Sequence, residues 1–221
     1  MRQLYLPLRV WDLPVRLFHW ALVILIFTAW LTQEFDRMDL HKLCGYTIMT
    51  LLLFRLAWGF VGSETARFSK FLRSPLAAFR HLGRLHRREP DTEIGHNAAG
   101  GWMVLVMLGL LAVQVGSGLF SNDDVLTEGP LAHFVSKATS DWLSHVHSIN
   151  FNLIEAVIVL HVLAITIYAL LKGQNLVRPM ITGKKRMPGA TRAPRMASPL
   201  LAIVILAIAG GGVAAMVRWL S

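Results

Sequence analysis

The chain has 221 residues, 54% of them hydrophobic and 16% charged, with a formal net charge of +9 and a mean hydropathy of +0.51. That composition excludes an ordinary soluble domain and describes a membrane protein. One cysteine, Cys44, excludes an intramolecular disulfide and any metal cluster held by several thiolates, and is expected as a small packing residue.

In chain order, Arg2, Arg9 and the pair Trp11/Asp12 precede Pro14, which suits the first turn of a helix, and the apolar run Val15 to Thr32 follows. No small-x-small cleavage pattern follows Trp30, so this run is expected to stay as the first membrane helix, with His19 one turn inside it. The connector QEFDRMDL leads to a second apolar run, HKLCGYTIMTLLLFRLAWGFVG, which opens with His41 and contains Arg55. Ser63 to Gly95 is polar and rich in arginine, with amphipathic spacing in SPLAAFRHLGRL that predicts a helix lying on the membrane surface. A third span, 96–120, carries Gly100, Gly101, Gly109, Gly116 and Gly118, which admit either a neighbouring helix or a flat cofactor close to the backbone. An acidic loop, 121–146, with Asp123, Asp124, Glu128 and Asp141, precedes a fourth span from His147 to Lys172. A basic linker, RPMITGKKRMPGATRAPR, then leads to a fifth span over 200–217. The expected fold is an all-α integral membrane protein, with a four-helix domain over 8–187 and a linker plus C-terminal transmembrane helix over 188–221.

Orientation follows from the basic residues. Seventeen of the 22 lysines and arginines fall in the N-terminal segment, the 63–95 stretch and the 172–198 stretch. That asymmetry predicts a cytoplasmic N-terminus, acidic loops outside and a periplasmic C-terminus in a bacterial inner membrane. The positive charge then faces anionic lipid, and nucleic acid is not an expected partner.

The histidines carry the chemistry. His147 and His161 stand 14 residues apart on one span, within about 40° of the same face and roughly 21 Å apart along the axis. With helix directions alternating, His41 falls level with His147 at the outer side and His19 level with His161 deeper in. Each layer offers two imidazoles from different helices, as a haem b requires when its iron takes one axial ligand from each side. Two haems b are therefore expected, on His41/His147 and on His19/His161. Filled axial positions leave electron transfer as their chemistry, with quinone as a substrate. No C-x-x-C-H sequence signals covalent attachment.

The chain resembles the prokaryotic cytochrome b561 family, which includes the cytochrome b subunits of nickel-iron hydrogenases. The likeness rests on VWDLPVRLFHW at 10–20, H-x-x-x-G at 41–45, FRLAWGFVG at 54–62, HSINFNLIEAVIVLH at 147–161 and NLVRPMITGKKR at 175–186. The resemblance implies a four-helix core with two haems b ligated from helices one, two and four. The fifth helix lies outside that core.

Around the ligands, Arg16 and Arg55 are expected to serve the propionates of the inner haem and Lys42 those of the outer one. Arg16 and Lys42 read equally well as snorkelling side chains. Glu155, between the layers, must be neutral or paired; a proton relay and a bond to Gln114 are the two readings. Trp11, Trp20, Trp58 and Trp142 read as interfacial belt residues. His81, His86, His96, His133 and His145 read as surface or capping residues. The function expected is electron transfer, in a respiratory chain, between quinone and a partner at the outer face, either a c-type cytochrome or a hydrogenase or dehydrogenase subunit. The alternative is a free-standing superoxide:ubiquinone oxidoreductase of the same fold, and a haem-free anchor or small transporter is the third reading.

Overall fold

Helix α1 (Leu13–Glu34) begins where Asp12 caps it. Asp12 Oδ1 accepts the Val15 N–H at 2.8 Å, satisfying one of the donors that the first turn leaves open. The computed structural model describes residues 4–83, 93–125 and 127–220. Arg2, Arg84, His86, Arg87 and Arg88 lie outside the described residues. Strand β1 (Tyr5–Arg9) precedes α1, and then come α2 (Met38–Val61), α3 (Phe68–Phe71), α4 (Pro75–Leu82), α5 (Ala98–Gly118), α6 (Lys137–Lys172), α7 (Val177–Thr182), β2 (Lys184–Pro188) and α8 (Pro199–Leu220). Among the described residues, α1, α2, α5, α6 and α8 are long and apolar enough to cross a membrane. The expected surface helix is α4, capped by Ser74, whose hydroxyl accepts the Ala77 N–H, with Pro75 in its first turn.

Two elements differ from expectation. β1 and β2 form an antiparallel ladder running from Tyr5↔Pro188 to Arg9↔Lys184. Neither YLPLR nor KKRMP carries a clean two-residue alternation, so pattern alone does not reveal it. Helix α6 starts at Lys137, ten residues before the expected His147. Its first turns are polar, and their N–H groups are met by Ser136, whose hydroxyl and carbonyl accept from Thr139 and Ser140. Apolar periodicity cannot find such an extension.

Two compact units divide the chain, and each long helix contributes to both. The first comprises Met1–Leu17, Leu56–Val106 and Ile158–Ala202. Its core holds Val10, Trp11, Trp58, Phe68, Phe71 and Met187. Trp11 and Trp58 are therefore not interfacial belt residues: they are 8% and 0% exposed, and Trp58 Nε1 donates to Asp12 Oδ2 at 3.0 Å. Gly59 is required beside them, because a Cβ there would stand 2.0 Å from the Phe68 ring. Gly183 ends α7 at φ +76° and its carbonyl accepts the N–H groups of Val10 and Trp11 at 2.8 and 3.2 Å. The linker before α8 is fastened by Ser63, which accepts the Ala197 N–H, and by Glu64. The Arg195 N–H bonded to Glu64, helped by the charges of Arg192, Lys70 and Arg195, holds that carboxyl below its usual range.

The second unit comprises Phe18–Arg55, Met107–Val157 and Ile203–Ser221. In it α1 turns sharply into α2: the Arg37 N–H reaches the Thr32 carbonyl at 2.7 Å and Asp36 adopts φ +53°, a conformation that Asp tolerates better than most residues. Between α5 and α6, Gly129 approaches the Leu119 carbonyl so closely that a Cβ would lie 2.4 Å from it. Asn122 accepts no substitute easily, since its backbone N–H and its side-chain amide bond Ser144, Ser140 and Asp141 of α6.

Replacing Trp58 by Phe keeps the ring but leaves the buried Asp12 carboxylate one donor short. The expected cost is about 1–3 kcal/mol, read as a lower unfolding temperature of the detergent-solubilised protein.

Candidate functional site

The tight α1–α2 turn sets the first turn of α2 beside the last turns of α1, and there His41 Nδ1 donates to the Ala29 carbonyl at 2.9 Å. Across the same unit, His147 Nδ1 donates to the Gln114 carbonyl of α5, also at 2.9 Å. A carbonyl can only accept, so both rings carry their proton on Nδ1 and present a bare Nε2. Gly118 makes the second contact possible: a Cβ on it would lie 2.9 Å from His147 Cε1.

The two rings stand 6.1 Å apart, centre to centre, with their planes at 72°. Two imidazoles on opposite sides of one first-row metal ion, each bonded at roughly 2 Å with its ring centre roughly 1 Å further out, would stand about 6 Å apart. The spacing and the bare Nε2 atoms therefore suit one metal between them, with backbone carbonyls fixing each ring as ligand supports usually do. Both histidines line a cavity of about 520 Å³. Gly45, one turn after His41, also lines it and has nothing within 4 Å of where a Cβ would point, which leaves room for a flat ring against α2.

Lys42 lines the same cavity, half-buried, as expected of a group serving an anionic edge. Arg55 is buried in α2 at 3% exposure. Arg16 belongs to the first unit, where its Nε and Nη1 donate to the Asp12 and Ile181 carbonyls. His19 is half-buried in the second unit, edge-on to Trp20 at 5.0 Å, and His161 is half-buried in the first. The glycines of α5 divide between the two readings: Gly101 packs against Phe71 and Gly118 against His147, whereas Gly109 and Gly116 face open space.

Several side chains behave differently from expectation. Gln114 does not bond Glu155; its Oε1 accepts from Asn150, whose amide also reaches the Leu110 carbonyl. His96 is not a surface residue but lies half-buried between Trp11 and Phe71, at 4.7 and 4.9 Å. His81 is half-buried too, bonded and stacked against Tyr168, whose hydroxyl also accepts from Asn97. His133 and His145 are exposed, as expected. Asp124 and Asp141 both pair with Lys137, and Asp123 Oδ1 accepts the Val125 and Thr127 N–H groups, so these acids hold their own loop. The carbonyls of Ala29 and Gln114 escape any reading of side-chain types, since every residue has one. Gly118 was legible only as one of five glycines.

A family model described as prokaryotic cytochrome b561 matches residues 10–183. No curated protein and no solved structure matches the chain.

Replacing Gly118 by Ala should push the His147 ring off the Gln114 carbonyl. The expected result is a shifted electron paramagnetic resonance signal for one low-spin centre, the one that His147→Ala removes, with any other centre unchanged.

Proposed function

Because the chain belongs to the prokaryotic cytochrome b561 family, and so is a multi-pass membrane protein that binds haem b and transfers electrons, we propose that it is a di-haem subunit passing electrons between a partner redox protein and quinone in a respiratory chain. The observation that carries this reading is the His41/His147 pair, 6.1 Å apart with both Nδ1 protons committed to carbonyls. One haem b is assigned to that pair and the second to His19 and His161, which share the family stretches quoted above. Bound there, haem b supplies a one-electron couple with no open iron position.

The residues do the rest. Ala29 and Gln114 hold the imidazoles in the ligating tautomer, and Lys42 is positioned to meet a propionate at the cavity wall. Arg55 is proposed to serve the second haem. Arg16, tied to two backbone carbonyls, is proposed for the same role through its remaining donors. The proposed orientation keeps the N-terminus cytoplasmic and the Asp123–Glu128 loop outside. Lys137 offsets one of the two charges of Asp124 and Asp141, so the acids proposed to meet a basic partner at that side are Asp123 and Glu128 of the loop and Glu34, Asp36 and Asp39 around the α1–α2 turn, all exposed.

Two tests follow. A pyridine haemochrome assay should give two haems b per chain; His41→Ala and His147→Ala should each remove the same one, and His19→Ala and His161→Ala the other. One haem per chain, or loss of the same component from His41→Ala and His19→Ala, overturns the assignment. Combining Glu34→Gln, Asp36→Asn and Glu128→Gln should slow reduction by a basic cytochrome several-fold at low salt, with the difference vanishing as salt rises, while reduction by a neutral quinol is unchanged. Equal rates at all salt concentrations would favour the free-standing oxidoreductase acting on a small substrate.

A further inference from the structure

Helix α6 meets the His41/His147 cavity with one continuous face: Ser144, His147, Ser148, Phe151, Asn152 and Glu155 all line it. Steps of three and four residues keep these positions on one side of a helix. Ser148, Asn152 and Glu155 therefore form a polar stripe that descends one turn at a time from the loop end of α6 to its middle. Among the described residues, Glu155 has no hydrogen bond or ion pair. The Gln114 amide on α5 bonds Asn150 through its Oε1 and makes no bond to Glu155. A carboxyl half-way along a 36-residue apolar helix without a basic partner is costly when charged, and such groups in membrane helices mark ion or proton pathways.

Other ionisable groups facing this cavity are Glu34 from α1, Lys42 and Tyr46 from α2, and Asp123 from the α5–α6 loop, besides the two histidines; α5 contributes none. Glu34 and Asp123 are exposed and Lys42 half-buried near the loop end, and Tyr46 stands five residues beyond His41 in α2. Glu155 is the carboxyl that α6 places at the far end of the stripe. Hydroxyl and amide groups spaced one turn apart along this wall of the cavity can support a hydrogen-bonded chain with water between them.

We propose that Glu155 is the redox-linked proton acceptor of the His41/His147 centre, loaded along the stripe Ser148–Asn152–Glu155. The inference rests on the ligand assignment made above. When one electron arrives at the centre from a quinol or the partner, one proton moves from the water at the loop end onto the Glu155 carboxylate, giving the neutral acid. When the electron leaves, the same proton returns. Eight residues separate Glu155 from His147, about 12 Å along the axis. At that distance and an effective dielectric of about 20, one unit of charge changes an equilibrium about tenfold. Tenfold corresponds to about 59 mV for a one-electron couple.

The test is an optical redox titration of the purified holoprotein across pH. In the natural protein the midpoint of the His41/His147 centre should fall by about 59 mV between an acid and an alkaline plateau. Glu155→Gln, permanently neutral, should remain at the acid plateau throughout, and Glu155→Asp should restore the fall. Redox-difference infrared spectra should show a protonated-carboxyl band that Glu155→Gln abolishes. Asn152→Leu should leave both plateaus in place but slow proton uptake after rapid reduction. A fall of the same size in Glu155→Gln, or an infrared band that survives it, overturns the acceptor; unchanged uptake in Asn152→Leu overturns the path. A haem count showing that His41→Ala retains the centre would instead overturn the ligand assignment, and the inference with it.

Discussion

Asp12 is the residue on which the first of the two units depends. One oxygen of its carboxylate caps α1, the other receives the Trp58 indole from the end of α2, and its carbonyl receives Arg16 Nε. Three distant stretches meet there, because Gly183 closes the same neighbourhood with its carbonyl on Val10 and Trp11. At 3% exposure the carboxylate has little water to fall back on, so each of these donors matters. The consequence is registration: α1 and α2 have their ends fixed to each other. A helix held at its end cannot slide along its axis.

The histidine pair shows a different economy. Nothing acidic supports either imidazole; each Nδ1 proton goes to a main-chain carbonyl near the end of a neighbouring span. A carbonyl fixes the tautomer as firmly as a carboxylate would, but brings no further charge into the hydrocarbon region. The arrangement then makes demands on residues that perform no chemistry. Gly118 must lack a side chain for His147 to reach α5, and the α1–α2 turn must be tight enough to set His41 against Ala29, which the left-handed Asp36 allows.

How much of this was legible in the sequence depends on how each feature is encoded. Spans are encoded by long apolar runs, and all five are present; the expected levels of the histidines are encoded by residue type and helical spacing, and His41 and His147 do lie side by side. What failed to appear did so for identifiable reasons. The polar first turns of α6 contain no apolar period, and the β1–β2 ladder joins two segments some 180 residues apart whose composition suggests neither strand. Trp58 and Trp11 look like any tryptophans near the ends of spans; it is the Asp12 carboxylate, 46 residues away from Trp58, that receives the Trp58 indole, and His96 that the Trp11 ring packs against. Acidic side chains in the 121–146 segment suggested a free charged surface, but Lys137, once it joins α6, has Asp141 one turn away and Asp124 across the loop.

The same reasoning explains how α6 can carry so much polarity through a membrane. Leu153, Val159, Leu160, Val162, Leu163, Leu170 and Leu171 are exposed and apolar, as a lipid-facing surface must be. Ser144, His147, Ser148, Asn152 and Glu155 fall instead on the side that meets the cavity. Had the polar groups been scattered around the helix, each would have faced hydrocarbon singly, at a cost that no neighbour could offset. Gathered on one face, they share one cavity with His41. The helix then presents an apolar surface to lipid and a polar one to the cavity, and the position of each polar residue follows from the 3.6-residue turn.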